Sequence, residues 1–504
     1  MRGIPSLITD IRKRVFTEVA RLAYEGGDDG QVEDLPYAIV PGEFALRRES
    51  IFLERAIAGE RVRLAMGLSL RPVQTRTLVS QGMDRSAVAE QYYEPPLINI
   101  IPYACHACPP RQYRVTEACQ NCLARSCQQV CPKGAVSFVN GRSRIDPDRC
   151  VRCGRCAKAC PYHAVVYLER PCQAACGMDA IATDQHGRAV IDQDKCVSCG
   201  MCLVSCPFGA IVDKGQLFQL IQAIRQGDPV VAIVAPAFVG QFGKTCTPEK
   251  FTTAMKALGF QRVVEVAVGA DLCAVEEAKD FLEKVPAKQP FLATSCCPAW
   301  HSMAHKLYPE QASCISMTLT PMVFTARLQK RQDPGCKVAF IGPCAAKKLE
   351  AMRADIRSDV DFVLTFEELM GMFEAKGIRF ETMDDVADGE AMREGTADGR
   401  GFAVSGGVAA AVTQVIARLD PERRVPTARA EGLRECRKLL AQAKAGKYDG
   451  YLLEGMACPG GCVAGAGTLL PVELASAVVG RYQKEADHDS ALDSPYRCAA
   501  EHLD

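Results

Sequence analysis

The stretch Cys150-Val-Arg-Cys153-Gly-Arg-Cys156-Ala-Lys-Ala-Cys160-Pro161 decides how the first half of this chain is read. In C-x2-C-x2-C-x3-C-P spacing, three thiolates hold one iron–sulfur cluster and the fourth reaches across to a second. Cys196, Cys199, Cys202 and Cys206-Pro207 repeat the spacing. Sixteen of the 27 cysteines lie between Cys105 and Cys206, the number of thiolates that four cubane clusters require. A chain with this many one-electron carriers moves electrons to or from something.

Composition narrows the class. A chain of 504 residues holds two to four domains with sizeable cores. Its 60 basic and 60 acidic residues cancel, so neither nucleic acid nor an anionic membrane is favoured as a partner. No apolar run has the length of a membrane span. The N-terminus lacks both a signal-peptide core and a twin-arginine address, and a cytoplasmic protein is expected. In a large chain, cysteines in tight C-x2-C pairs suit metal chelation rather than disulfides. Zinc is the bland alternative; the third cysteine two residues on, and the proline after the fourth, argue against it.

An internal repeat organises residues 97–214. Cys131-Pro-Lys-Gly-Ala-Val, Cys160-Pro-Tyr-His-Ala-Val, Cys176-Gly-Met-Asp-Ala-Ile and Cys206-Pro-Phe-Gly-Ala-Ile pair at separations of 29 and 30 residues. This reads as two tandem α+β modules of the bacterial ferredoxin kind, 97–168 and 169–214. The first carries one [4Fe-4S] cluster on Cys119, Cys122, Cys127 and Cys160, and another on Cys131, Cys150, Cys153 and Cys156. In the second, Cys176 joins Cys196, Cys199 and Cys202. Cys172 and Cys206 then need two more ligands, and Cys105 and Cys108 are the spare pair; a lone zinc or structural pair is the other reading of those two. Because Cys206 runs straight into the C-terminal half of the chain, the cluster on Cys105, Cys108, Cys172 and Cys206 is expected nearest any site in that half.

Residues 1–96 have no cysteine and read as helical, with apolar positions at helical spacing in Ile11–Ala23 and Ile51–Met66. Packing or docking is their expected role. Residues 215–470 read as an α/β domain with strands at 230–234, 263–268, 291–293, 338–341, 362–365 and 451–453, and helices such as 274–283 and 366–375. Residues 471–504 read as an acidic tail. Three strands end in cysteine-bearing loops: Thr294-Ser-Cys-Cys-Pro-Ala-Trp300, Gly342-Pro-Cys-Ala-Ala-Lys-Lys348 and Glu454-Gly-Met-Ala-Cys-Pro-Gly-Gly-Cys462. Sites form where strands of such sheets end, so Cys297, Cys344, Cys458 and Cys462 are four thiolates expected in one crevice. Gly460 and Gly461 would let the backbone approach a bulky inorganic group.

These loops resemble the TSCCPxW, PCxxKK and ExMACxGGC motifs of the [FeFe]-hydrogenases, and a divergent, group B-like member is the best match. The resemblance covers roughly residues 97–468. It implies a catalytic H-cluster: a cubane on Cys297, Cys344, Cys458 and Cys462, bridged through Cys462 to a diiron unit with carbonyl, cyanide and dithiolate ligands. It further implies reversible conversion of protons and electrons to H2, a ferredoxin or similar small electron carrier, maturation proteins and an anaerobic setting. Lys347 would donate to a metal-bound cyanide, whereas Lys348 reads as a surface lysine. Met456 would pack over the diiron unit; Pro236, Ala237 and Phe402 match cavity-lining segments. A proton relay would start at Cys296, which is not a cluster ligand, and pass through Glu277, Asp280 and Ser316. Asp280 replaces a usual glutamate.

Departures surround the expected ligands: Gly342 for methionine, Ala299 for glycine, Met322 for glutamine, and Gly465-Ala-Gly467 at the end of the third motif. Cys246, Cys273, Cys314, Cys336, Cys436 and Cys498 read as structural thiols. No glycine fingerprint for a flavin or nicotinamide is present, so direct use of NAD is not expected. Two rival readings share the motifs: a non-catalytic protein of the cytosolic iron–sulfur assembly kind, and a slow H2 sensor.

Overall fold

The computed structural model describes residues 3–86, 95–385 and 392–502; residues 87–94 of the expected N-terminal region lie outside them. The two cluster modules are nested rather than tandem. Strand β1 (Ile98–Ile100) pairs antiparallel with β8 (Ile211–Asp213), and between them come β2 (Gln112–Val115), β3 (Val136–Val139), β4 (Arg142–Ile145), β5 (Val165–Leu168), β6 (Ile181–Thr183) and β7 (Ala189–Ile191). One module is the outer pair β2–β5 around the hairpin β3–β4. The other is the outer pair β1–β8 around the hairpin β6–β7, so the first module is inserted into the second. Burial explains the nesting. Leu97, Ile98 and Ile101 share a core with Ile181, Ile211 and Val212, which pulls Cys105 and Cys108 toward the second module.

The same turns recur around the cysteines. In the leading C-x2-C pair of each cysteine motif the residue before the second cysteine is left-handed: Ala107 (φ 46°), Asn121 (47°), Arg152 (56°) and Ser198 (52°). Such a conformation costs an L-residue roughly 1–2 kcal/mol, and its fourfold recurrence places Cys105-x2-Cys108 in the same structural class as the other three pairs. The Cys-x3-Ala repeat has an equally local cause. The N–H groups of Ala135, Ala164, Ala180 and Ala210 donate to the sulfurs of Cys131 (3.2 Å), Cys160 (3.4 Å), Cys176 (3.3 Å) and Cys206 (3.4 Å).

The second half holds two parallel sheets. One has the order β10-β9-β12-β13, built from β9 (Val230–Val234), β10 (Arg262–Glu265), β12 (Lys337–Gly342) and β13 (Phe362–Thr365); the other has the order β11-β15-β14, from β11 (Leu292–Ala293), β14 (Thr427–Glu431) and β15 (Leu452–Met456). The run expected as a strand to Val268 stops at Glu265, because helix Ala267–Lys284 begins there. Strand β14 has no apolar run to announce it. It lies at a sheet edge with only Ala430 fully buried.

Both chain ends pack into this domain. Helix α1 (Leu7–Glu25) lies against helices Phe366–Ala375 and Leu217–Gln226, and Val15, Val19 and Ala20 join one core with Phe366, Leu369 and Met372. Residues 471–502 are not a loose tail. Helix Val472–Lys484 buries Ala475, Val479 and Tyr482, and the Tyr482 hydroxyl donates to Glu265, which also pairs with Arg400 at 2.8 Å. No helix among the described residues is long and apolar enough to cross a membrane.

Candidate metal centre

The three cysteine loops leave the C-terminal ends of β11, β12 and β15, where they hold one another by close backbone contacts. The Thr294 N–H donates to Leu453 O (2.9 Å), and the Trp300 indole N–H donates to Thr294 O (2.9 Å). Trp300 is fully buried against Gly455, where an added Cβ would stand 2.2 Å from the indole ring. Gly467 N–H donates to Pro343 O (2.8 Å), tying the third loop to the second. Glu454 accepts from the N–H groups of Gly406 (2.6 Å) and Ala409 (2.8 Å), so its carboxylate caps helix Gly407–Leu419 and holds residues 402–407 against the third loop. Gly461 has φ +89°, and a Cβ there would meet Ser405 N at 2.5 Å. Its glycine is demanded by the neighbouring backbone rather than by an inorganic group.

These locks draw Cys297, Cys344 and Cys462 into one buried place. Burial pushes the Cys344 thiol up to about 11, with the charge of Cys297 next in effect; it pushes Cys462 up to about 12, with Cys344 and Cys297 next. Cys297 is also raised by burial, while the N–H groups of Ala457, Trp300 and Ala299 oppose the rise. Cys458 lies two residues beyond β15 on the loop that leads to Cys462. Sulfur donors this crowded would suit a cluster of iron, whose positive charge would hold them as thiolates. Among the described residues no three His, Cys, Asp or Glu side chains are gathered tightly enough for a single metal ion. A cubane needs no such convergence, since each thiolate takes a separate iron, and the all-sulfur donor set suits it.

Around the thiols stand the expected relay residues. Cys296 is half-buried, and its thiol is held well above the ordinary range, by burial first and the Glu277 charge second. Glu277 is itself buried and pushed up to about 7, chiefly by burial. Its Oε1 accepts from Ser295 N–H (3.0 Å), the Ser316 hydroxyl faces the same carboxyl, and Oε2 has no partner. Asp280, one turn along the helix, is part-exposed and accepts from Lys284 Nζ (2.7 Å). Ser295, Ser316, Thr318, Thr320 and Glu350 line a cleft of about 670 Å³ that opens toward solvent. Phe402 and Met456 share one apolar cluster with Cys296 and Cys297. Pro236 and Ala237 form a short turn after β9, and Ala237 packs with Ala403 and Val463.

The two lysines of the second loop part company. Lys347 Nζ pairs with Glu350 (2.6 Å) and donates to Thr320 Oγ1 (3.0 Å), and the charges of Cys344 and Cys296 also act on it. Two of its three donors are therefore engaged by protein groups. Lys348, expected at the surface, is 0% exposed and pairs with Asp213 (2.8 Å) and Glu368 (3.0 Å). It ties β8 of the second module to the C-terminal α/β domain. Ser295, Thr320, Glu350 and Glu454 were not singled out in the sequence. Glu454 had a signal in its own loop motif; the others are visible only once the loops meet.

The order of the clusters also differs from expectation. Cys199, not Cys206, faces the crevice: its thiol is pushed up to about 12 by burial, and the charges acting on it include those of Cys176, Cys196 and Cys297. A Cβ on Gly200 would lie 2.5 Å from Ala466 and 3.2 Å from Ala345, so this turn abuts the second and third site loops. Lys306 Nζ donates to the carbonyls of Asp194 (2.6 Å) and Cys196 (3.0 Å). Continuity of the chain brings Cys206 near the domain in sequence; packing brings Cys199 near the thiols in space.

Residues 228–466 match the family described as "Iron only hydrogenase large subunit, C-terminal domain", and residues 143–166 and 189–212 match the 4Fe-4S binding domain. The chain is 28% identical to Iron hydrogenase 1 of Clostridium pasteurianum over 395 residues, 68% of either protein. It is 24% identical to Protein NAR1 of Arabidopsis thaliana, over 56% of this chain and 73% of that one. The apo [FeFe]-hydrogenase HydA1 from Chlamydomonas reinhardtii aligns with a TM-score of 0.47 at 20% identity, over 54% of this chain and 88% of that one. With both domain types present in order, the chain is a divergent member of the iron-only hydrogenase large-subunit family.

Proposed function

We propose that the chain is an [FeFe]-hydrogenase interconverting H2 with protons and electrons. Cys297, Cys344, Cys458 and Cys462 would hold an H-cluster, with Cys462 the bridge to its diiron part. When bound, that cofactor supplies the metal centre at which H2 is cleaved or formed. The sixteen cysteines from Cys105 to Cys206 would hold four [4Fe-4S] clusters that exchange electrons with a ferredoxin or similar carrier, the set on Cys176, Cys196, Cys199 and Cys202 handing them to the crevice.

The observation that carries the reading is the line from Cys296 through Glu277 toward Ser316 and Asp280. Burial keeps the proton on Cys296 Sγ, and a neighbouring carboxyl poised near pH 7 can take or return it. Ser316 would continue the line to the cleft, while Asp280, held by Lys284, acts on Glu277 through its charge. A protein that only stores or delivers clusters has no use for it. Lys347, anchored by Glu350 and Thr320, keeps one donor for a ligand of the metal. Anaerobically matured protein should evolve H2 from a reduced dye. Cys296→Ala should keep the full iron content and lose about 10²- to 10⁴-fold in turnover.

A second reading is favoured by the likeness to Protein NAR1 and by Gly342, beside which the Phe340 ring leaves no room for a side chain. It makes the chain a non-catalytic iron–sulfur protein. Infrared bands of metal-bound carbonyl and cyanide after maturation decide between the two, since that reading has no diiron unit.

A further inference from the structure

Two arginines from the cysteine-free N-terminal region reach the turns of the outer cluster in the second module. Arg61, on helix α2 (Ile51–Ala65), is buried and donates to Gly209 O at 2.7 Å. Arg48 donates to Phe208 O (2.7 Å) and Ala104 O (3.3 Å), the carbonyls two residues after Cys206 and immediately before Cys105. The Gly209 contact has a direct line to sulfur. The carbonyl that Arg61 binds and the Ala210 N–H that donates to Cys206 Sγ (3.4 Å) belong to one peptide unit. A guanidinium on the oxygen polarises that peptide and strengthens the N–H as a donor to the sulfur.

The charge balance points the same way. The nearby Arg12 and Arg47 have carboxylate partners, Glu367 and Asp10 respectively. Around Arg61 the acting charges are those of Arg12, Arg48 and Arg47, opposed by the Cys206 thiolate. Its Nε and Nη1 are buried without a partner. The equivalent turns are served differently among the described residues: Arg149 near Cys131 is exposed, and Arg437 near Cys176 is half-buried and neutralised by Asp179 at 2.7 Å. A buried cation without a carboxylate favours whichever neighbouring state is more negative. For a one-electron cluster that is the reduced state.

Resting on the reading of four clusters, we propose that Arg61, assisted by Arg48, raises the reduction potential of the cluster on Cys105, Cys108, Cys172 and Cys206. This makes the N-terminal helical region a tuning element, and the cluster an electron store one step outside the one that faces the crevice. Both arginines are positioning residues acting through the peptides around Cys206.

The test is a redox titration of the anaerobically reconstituted full chain with dithionite, followed by electron paramagnetic resonance, alongside iron analysis. Cys206→Ala identifies the wave of this cluster by weakening or removing it. Arg61→Gln should move that wave to lower potential, about tenfold in the oxidised-to-reduced ratio at a set potential, or about 59 mV for one electron. Iron content and the other waves should stay, Arg61→Lys should restore the wave, and Arg48→Gln should move it less. If Cys206→Ala removes a wave and both glutamine variants leave it in place, the inference fails while the four clusters stand. If Cys206→Ala costs neither iron nor a wave, the four-cluster reading fails and the inference with it. A wild-type wave that moves with added inorganic phosphate, but not in Arg61→Gln, also overturns it: the arginines would then serve an anion in the 230 Å³ cavity they line.

Discussion

The cluster modules and the crevice place cysteines by opposite means. Between Cys105 and Cys206 each thiol is positioned by its own turn, with a left-handed residue inside the C-x2-C pair and an alanine N–H four residues after the linking cysteine. In the crevice, thiols come from loops after β11, β12 and β15, and the locks are between segments: Trp300 on Gly455, Gly467 on Pro343, Gly461 on Ser405. Local turns survive damage elsewhere. Interlocked loops do not.

The largest effect should follow from removing a crevice thiol. Cys462→Ala is expected to bring H2 evolution to background while the iron of the modules is retained, checked by gas production and iron analysis on the same sample. Loss of the module iron as well would erase the contrast between the regions. Next comes the tie between them: Lys348→Met strands Asp213 and Glu368 in the interior, which should cost about 3–5 kcal/mol in denaturant unfolding.

The regions should also differ in their response to pH. In the C-terminal α/β domain, burial raises Asp271 from 3.8 to about 7, against the bonds it accepts from Thr396. Between those two values the native state binds more protons than the unfolded chain, so stability falls as pH rises. In the modules, hydrogen bonds from Arg188 and Lys195 hold the part-exposed Asp184 and Asp192 below the usual carboxylate range, which works the other way and is lost as pH falls. Asp271→Asn should therefore flatten the decline between about pH 4 and pH 7 in denaturant midpoints. The smallest effect is expected at Ala107, whose left-handed φ suits glycine. Ala107→Gly should stabilise the loaded module by about 0.5 kcal/mol in thermal unfolding. A loss instead would mean that this turn is unlike its three counterparts.

Strand β13 and helix Phe366–Ala375 were legible in the sequence to the residue, because an uninterrupted apolar run and a Thr365–Glu368 capping box mark their ends. Counting thiols assigns Cys105 and Cys108 to the second module; that β1 closes against β8 and carries them to that side was not legible. Lys348 read as a surface residue because its partners, Asp213 and Glu368, are respectively 135 and 20 positions away. Strand β14 was missed because an edge strand needs little apolar surface.

By itself the sequence determined everything that depends on neighbours along the chain: which cysteines share a turn, where the buried strands run, and which three loops carry the crevice thiols. Those properties follow from spacing and periodicity, which a linear string records directly. Tertiary structure alone decided which cluster turn meets the crevice, which of two adjacent lysines is buried, and how the N-terminal arginines come to lie on the Cys206 turn. Each depends on packing between segments far apart in the chain, where burial and charge are set by whatever partner the fold brings near.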